Sequence, residues 1–235
     1  MASARRRVLV VDSSDHRRAG GWFVDCLAGF PQLEVKRREE IDPRELAWRA
    51  VILSGSEHSI FEDNDWLGRQ LQFVRSLLDE GVALLGVCFG HQLIFRALYG
   101  KDVLTRRAVP EVGWPSVKLG SHPVFEGVGE TIRPYNYHFE EVAEVPGEWE
   151  VLASSETCRV QAARHKELRA FGLQFHPEIA PEEGASSISR DRRYLAVFGL
   201  DADAVVAGPN PGRRHYPEVV RNFVARYGGE PSEIA

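Results

Sequence analysis

Apolar residues change their spacing along the chain. In the first half, short unbroken apolar runs alternate with longer stretches in which apolar residues recur every three or four positions. Val8–Val11, Leu33–Val35, Ala50–Leu53 and Ala83–Leu85 read as buried strands. Leu67, Leu71, Val74, Leu77 and Leu78 mark one face of a helix predicted over Trp66–Glu80, with Gly81 as its stop. A further helix is predicted over Arg17–Ala28, weakened by Gly20 and Gly21, and another carries Gln92–Leu98. Strands alternating with helices predict a parallel sheet covered on both faces.

The second half reads differently. Val112–Leu119, Thr131–Tyr137, Glu150–Ala153, Arg159–Ala163 and Ala170–Phe175 are predicted as shorter strands with few helices between them, extending the sheet with some antiparallel pairing. Asp201–Gly212, rich in Gly and Pro, is predicted as an exposed loop. Tyr216–Tyr227 reads as a closing helix with Pro217 in its first turn. No repeat or linker divides the chain. The fold class expected is therefore α/β, one domain over residues 1–235, with a central, mostly parallel sheet flanked by helices.

Composition narrows the partners. The chain has 235 residues, 43% hydrophobic and 27% charged, with 29 Lys plus Arg against 34 Asp plus Glu and a net charge of −5. That balance supplies no basic footprint for nucleic acid. The triplet Arg5-Arg6-Arg7 reads as a solvated tail. The apolar run after it ends at Asp12, too short for a signal peptide, and no stretch reaches the ~20 apolar residues of a membrane helix. Cys26, Cys88 and Cys158 form no paired framework, so a cytoplasmic location is expected. The histidines lack ligand spacing; neither a metal nor a cofactor is expected.

Chemistry concentrates in Gly86-Val87-Cys88-Phe89-Gly90-His91-Gln92, where a cysteine stands between two glycines at a strand-to-helix junction. Such a turn lifts the side chain to the carboxyl end of the sheet, and the helix N-terminus behind it favours the nucleophilic thiolate. The N–H of Phe89 would face the same point as an oxyanion donor. A thiol nucleophile needs a histidine base and a group to orient it. His176 stands at a predicted strand end in Gln174-Phe175-His176-Pro177-Glu178, and strand alternation places Glu178 on the same side. Cys26 and Cys158, amid apolar neighbours, read as inert core thiols.

Gly86–Gln92 together with Gln174–Glu178 resembles the class I, triad-type glutamine amidotransferases, over about Val8–Glu178. The resemblance implies a flavodoxin-like glutaminase in which Cys88 attacks the glutamine side-chain amide, His176 moves the proton and Glu178 orients His176. It implies an oxyanion hole from the N–H of Phe89 and one from the loop after the third strand, Gly55 or Ser56. That loop reads Ser54-Gly55-Ser56-Glu57 where synthetase-linked members carry Ser-Gly-Gly-Pro. Gln92 and the segment Tyr137-His138-Phe139 match substrate-holding positions. Glu111-Val112-Gly113-Trp114 and the segment from Ser54 to Trp66 resemble stand-alone members, among them γ-glutamyl peptidases. The expected function is glutamine hydrolysis that passes ammonia to a separate synthetase subunit; the alternatives are a γ-glutamyl hydrolase and an inactive regulatory module, against which the intact Cys88, His176 and Glu178 argue. Residues Ala185–Leu200, with the basic Arg190, Arg192 and Arg193, are expected to lie at the pocket mouth.

Overall fold

In a computed structural model the chain is described over residues 7–30, 32–208 and 213–227; Arg5, Arg6 and the loop residues 209–212 lie outside that range. A nine-stranded sheet forms the centre. Its strands run β2 (Leu33–Arg37), β1 (Val8–Asp12), β3 (Ala50–Leu53), β4 (Ala83–Val87), β11 (Ala170–Leu173), β10 (Ala162–His165), β9 (Trp149–Ser155), β6 (Val117–Leu119) and β7 (Thr131–Ile132). The first five are mutually parallel; each of the last four pairs antiparallel with its neighbour. A separate ribbon pairs β5 (Leu104–Gly113) with β8 (Asn136–Val142).

Alternate residues of the parallel strands bury on opposite faces. Val8, Val10, Ile52, Leu85 and Val87 pack with Phe23 and Cys26 of α1 (Ala19–Cys26) and with Val219 and Phe223 of α7 (Pro217–Tyr227). Leu9, Val11, Val51, Leu53 and Leu84 pack with Leu67, Phe73 and Val74 of α2 (Asp65–Asp79) and with Leu93 and Ile94 of α3 (Phe89–Tyr99). Each such fully buried side chain is worth ~1.5–3 kcal/mol of removed apolar surface. Asn64 caps α2 through its side-chain oxygen, which accepts from Leu67 N. Gly81, at φ +68°, ends it as the sequence predicts.

Four sequence expectations are corrected. Val112–Leu119 is not one strand: Gly113 turns at φ +108°, Pro115 lacks a donor, and β5 and β6 fall in different sheets. Thr131–Tyr137 divides at Pro134 for the same reason. The first predicted helix starts two residues late, at Ala19, because Arg17 sits at φ +55°. Within the predicted loop Asp201–Gly212, residues Ala202–Ala207 form α6, capped by the Asp201 carboxylate. Two helices absent from the sequence reading precede it, α4 (Pro181–Arg190) and α5 (Arg192–Ala196). The three helices bury Ile188, Leu195 and Ala202 in a third cluster with Trp114, Tyr135 and Ile179. Among the described residues no helix is long and apolar enough to cross a membrane.

Candidate active site

Strands β3, β4 and β11 are parallel neighbours, so their carboxyl ends open at one edge of the sheet. Ligands of open α/β sheets bind at such an edge. β3 leads into Ser54-Gly55-Ser56, β4 into Cys88, and β11 towards His176. Cys88 adopts φ +52°, ψ −105°, a conformation costing a non-glycine residue ~1–3 kcal/mol. The flanking glycines permit it by close packing, not by positive φ. A Cβ on Gly86 would strike the Gly90 carbonyl, and one on Gly90 would strike the backbone of Leu53. Strand, turn and helix therefore touch backbone to backbone, and Gly90 N donates to Ser54 O at 3.1 Å.

His176 Nδ1 lies 2.7 Å from Glu178 Oε1, and its ring and the Cys88 side chain line the same cavity around Gly55. The pair does not meet through strand alternation, because β11 ends at Leu173 and His176 forms only an isolated bridge with Tyr135. Burial alone would lower the His176 pKa. The Glu178 carboxylate and the Cys88 side chain outweigh it and carry the imidazole up to about 10. Gly55 backs onto both groups: a Cβ there would fall 2.8 Å from His176 Cε1 and 3.7 Å from Cys88 Cβ. Phe89 opens α3, so its N–H has no acceptor within the helix.

These residues floor a cavity of about 840 Å³. Gln92, Tyr137, His138 and Phe139 all line it, with Tyr137 O 3.9 Å from Cys88 Sγ. The Gln92 amide nitrogen donates to Glu140 O at 2.5 Å and Gln174 Oε1 at 3.2 Å, so that end is turned to the protein. The His138 ring also faces inward, to Glu111 Oε2 at 2.9 Å and Glu140 O at 3.1 Å. His91, fully buried beside Gly172, has no hydrogen-bond partner for either ring nitrogen among the described residues, and burial first, with His138 adding, holds its pKa down to about 3.

Glu111, His138 and Cys158 bring possible metal-ligand atoms within 4.8 Å of one another, a grouping that sequence spacing did not reveal. Their donors are already engaged. The Glu111 carboxylate also bonds Gln161 (2.7 Å), Ser155 (3.2 Å) and Thr157; burial would raise its pKa, but the bonds of His138, Thr157 and Gln161 hold it below the usual carboxylate range. Burial first, then the charges of Glu141 and Glu111, push the Cys158 thiol far up, away from the ligating thiolate. The network braces β8 beneath the Tyr137–Phe139 segment.

The outer wall comes from Ala185–Leu200, the segment expected at the pocket mouth. Ser187, Arg190, Asp191, Tyr194 and Phe198 line the cavity from α4, α5 and the turn after them. The Tyr137 hydroxyl donates to Asp191 Oδ2 at 3.0 Å, tying this wall to β8. Phe139, Tyr194 and Phe198 make mutual ring contacts with centroids 5.1–5.4 Å apart. Of the basic cluster only Arg190 faces the cavity; Arg192 pairs with Asp203 and, with Arg193, borders a separate groove.

The family model for glutamine amidotransferase class-I matches residues 30–194. The chain is 31% identical to a glutamine-hydrolysing GMP synthase subunit of Sulfolobus acidocaldarius over 161 residues, 68% of this chain and 79% of that one. It is 39% identical to the protein of the same name from Pyrococcus abyssi over 111 residues, 47% of this chain and 58% of the relative, so it spans less than two thirds of that protein. In fold it resembles a glutamine amidotransferase from Thermotoga maritima, with TM-score 0.76, 19% identity and 95% and 98% of the two chains covered. A glutamine amidotransferase from Methylobacillus flagellatus gives TM-score 0.73 at 20% identity, with 96% of each chain covered. The matched span runs from the approach to β2 through the cysteine turn and the His-Pro-Glu turn, and the chain belongs to the class-I glutamine amidotransferases.

Proposed function

We propose that this protein hydrolyses the side-chain amide of glutamine and passes the ammonia to a separate synthetase subunit. The observation that carries the reading is Cys88 at positive φ on the β4–α3 turn, lining the same large cavity as the buried, hydrogen-bonded His176–Glu178 pair. Cys88 Sγ attacks the amide carbon, and the C=O π electrons move onto oxygen. The N–H of Phe89, with that of Gly55 or Ser56, stabilises this oxyanion. The oxyanion collapses as the C–N bond breaks, and His176 gives its proton to the departing nitrogen. Ammonia leaves and a γ-glutamyl thioester remains. His176 then takes a proton from water, whose oxygen attacks the thioester; glutamate leaves and the Cys88 sulfur is regenerated. Glu178 holds the ring and its positive charge throughout. Tyr137–Phe139 and Gln92 hold the amino-acid end of the substrate. The relatives named as glutamine-hydrolysing GMP synthase subunits support an acceptor on another polypeptide.

Cavity size favours a second reading. About 840 Å³ lies near the top of the ~300–1,000 Å³ range that holds drug-sized ligands. A γ-glutamyl conjugate with an aromatic or anionic amine would place that amine against Phe139, Tyr194 and Arg190. The two readings separate in one experiment: purified protein is given glutamine or γ-glutamyl dipeptides, and ammonia and free glutamate are measured. Ammonia from glutamine, abolished in Cys88→Ala, supports the first. Glutamate released from dipeptides at far higher kcat/KM supports the second. Turnover surviving in Cys88→Ala overturns both.

A further inference from the structure

The loop after β3 carries Gly55 and Ser56, one of which would supply the second N–H to the oxyanion, and it belongs to no strand or helix. Polar contacts fasten it to the loop after β1 instead. Ser13 N donates to Ser54 Oγ at 2.9 Å, the Ser56 hydroxyl donates to Ser13 O at 2.9 Å, and Asp15 N donates to Glu57 Oε2 at 2.8 Å. His58 comes next along the same seam. Its Nε2 lies 3.1 Å from Asp15 Oδ1 on the β1 loop, and its Nδ1 lies 3.2 Å from Glu62 Oε2 on the approach to α2.

The ring thus bridges two segments that flank the oxyanion loop. Carboxylate oxygens accept and do not donate, so both contacts are hydrogen bonds when the ring carries two N–H groups. Both acids are anchored in turn. Asp15 Oδ1 also accepts from Arg38 Nη2 at 2.7 Å, while the Glu62 carboxylate accepts from Ser59 N at 3.2 Å and Asn64 Nδ2 at 3.0 Å. The Trp66 ring of α2 meets the imidazole edge to face, with centroids 5.2 Å apart. His58 N then donates to Ser56 Oγ at 3.2 Å, which joins the bridge directly to the loop. His58 lines the cavity with Gly55, Ser56 and Cys88, yet both of its ring nitrogens are turned to protein carboxylates.

We infer that His58, by bridging Asp15 and Glu62, is a positioning residue that fixes the Gly55–Ser56 loop where its N–H meets the oxyanion. The inference rests on the reading of Cys88 as the nucleophile whose attack creates that oxyanion. The contacts of Ser54, Ser56 and Glu57 still tether the loop without His58, so losing the bridge loosens the loop and leaves the domain folded.

The test compares wild type with His58→Ala, His58→Gln, Asp15→Ala, the double variant His58→Ala/Asp15→Ala, and Cys88→Ala. Each is followed by thermal unfolding, by kcat and KM on whichever of glutamine or a γ-glutamyl dipeptide the wild type turns over, and by the rate at which iodoacetamide alkylates Cys88. Alkylation displaces iodide at a saturated carbon and builds no tetrahedral oxyanion, so it reads the thiol and not the loop. Outright removal of one oxyanion donor costs about 100- to 1,000-fold, and a loop that is loosened but still tethered should cost less, about 5- to 50-fold in kcat for His58→Ala. KM should stay within twofold, with the alkylation rate and Tm unchanged. His58→Gln, whose amide keeps one donor, should recover part of the loss. Asp15→Ala should also lose kcat, and the double variant should lose little beyond His58→Ala, because both changes cut one link. A His58→Ala kcat within twofold of wild type overturns the inference, as does a loss carried by KM, matched by slower alkylation or matched by unfolding. Additive losses in the double variant overturn the bridge. Full turnover in Cys88→Ala would instead remove the catalytic reading, and the inference with it.

Discussion

Replacing Gly55 by alanine isolates the contact between the β3 loop and the base. Gly55 does not occupy the positive-φ region, so alanine meets no backbone strain there. Its Cβ would fall 2.8 Å from His176 Cε1, about 0.6 Å short of the nearest ordinary van der Waals contact. The ring cannot slide away freely, because Nδ1 is held at 2.7 Å by Glu178 and the residue is buried. Either the ring shifts by several tenths of an ångström or the Gly55 loop retreats and takes its N–H groups with it. A 1 Å displacement of a catalytic group is worth about 100-fold, so a loss of about 10- to 100-fold in kcat is expected, or ~1.4–2.7 kcal/mol in the barrier. Stability should hold, since Gly→Ala at a compatible backbone stiffens the unfolded chain by ~0.4–1 kcal/mol. Steady-state ammonia release gives kcat, and urea unfolding gives stability. A Gly55→Ala enzyme with kcat within twofold of wild type would refute the placement of His176 as the proton carrier against this loop.

The raised His176 pKa has a measurable consequence. Its imidazole should titrate by NMR near pH 10 instead of 6.5, and Glu178→Gln should bring that value down. Because the folded pKa is raised, the stabilisation it contributes is complete below pH 6.5 and disappears as pH climbs through about 10; a pH–stability profile for His176→Asn that still falls across this window would contradict the assignment. Gly90→Ala should act on folding itself, costing at least ~1–3 kcal/mol, because its Cβ meets the immovable backbone of Leu53; an unchanged denaturation midpoint would exclude the close approach. A glutamine-mimicking alkylator should label Cys88 ahead of Cys26 and Cys158, which are buried with thiol pKa values pushed well up; mass spectrometry showing equal labelling would count against Cys88 as the nucleophile.

Continuous apolar runs made β1, β3 and β4 readable, and three-and-four spacing made α2 readable, because each pattern records which face of an element is buried. The Gly86–Gly90 turn was readable for a related reason. A cysteine between two glycines after a buried strand restricts the backbone within a few residues, and Cys88 does sit at positive φ there. Such local rules do not name the partner that does the burying. Val112–Leu119 looked like one strand, yet Gly113 and Pro115 send its halves into different sheets. The helices α4 to α6 are short and polar, and their few apolar side chains become a face only against Trp114, Tyr135 and Ile179. His176 meets Cys88 because β11 takes the place beside β4 at the parallel edge, a pairing that depends on the whole sheet and not on either motif. The sequence placed Ala185–Leu200 at the pocket mouth, but which of its side chains face the cavity, and the contact of His215 with Cys26, arise only when distant segments pack together. Sequence periodicity is a property of a few neighbouring residues, whereas the site is assembled from side chains that become neighbours through long-range burial.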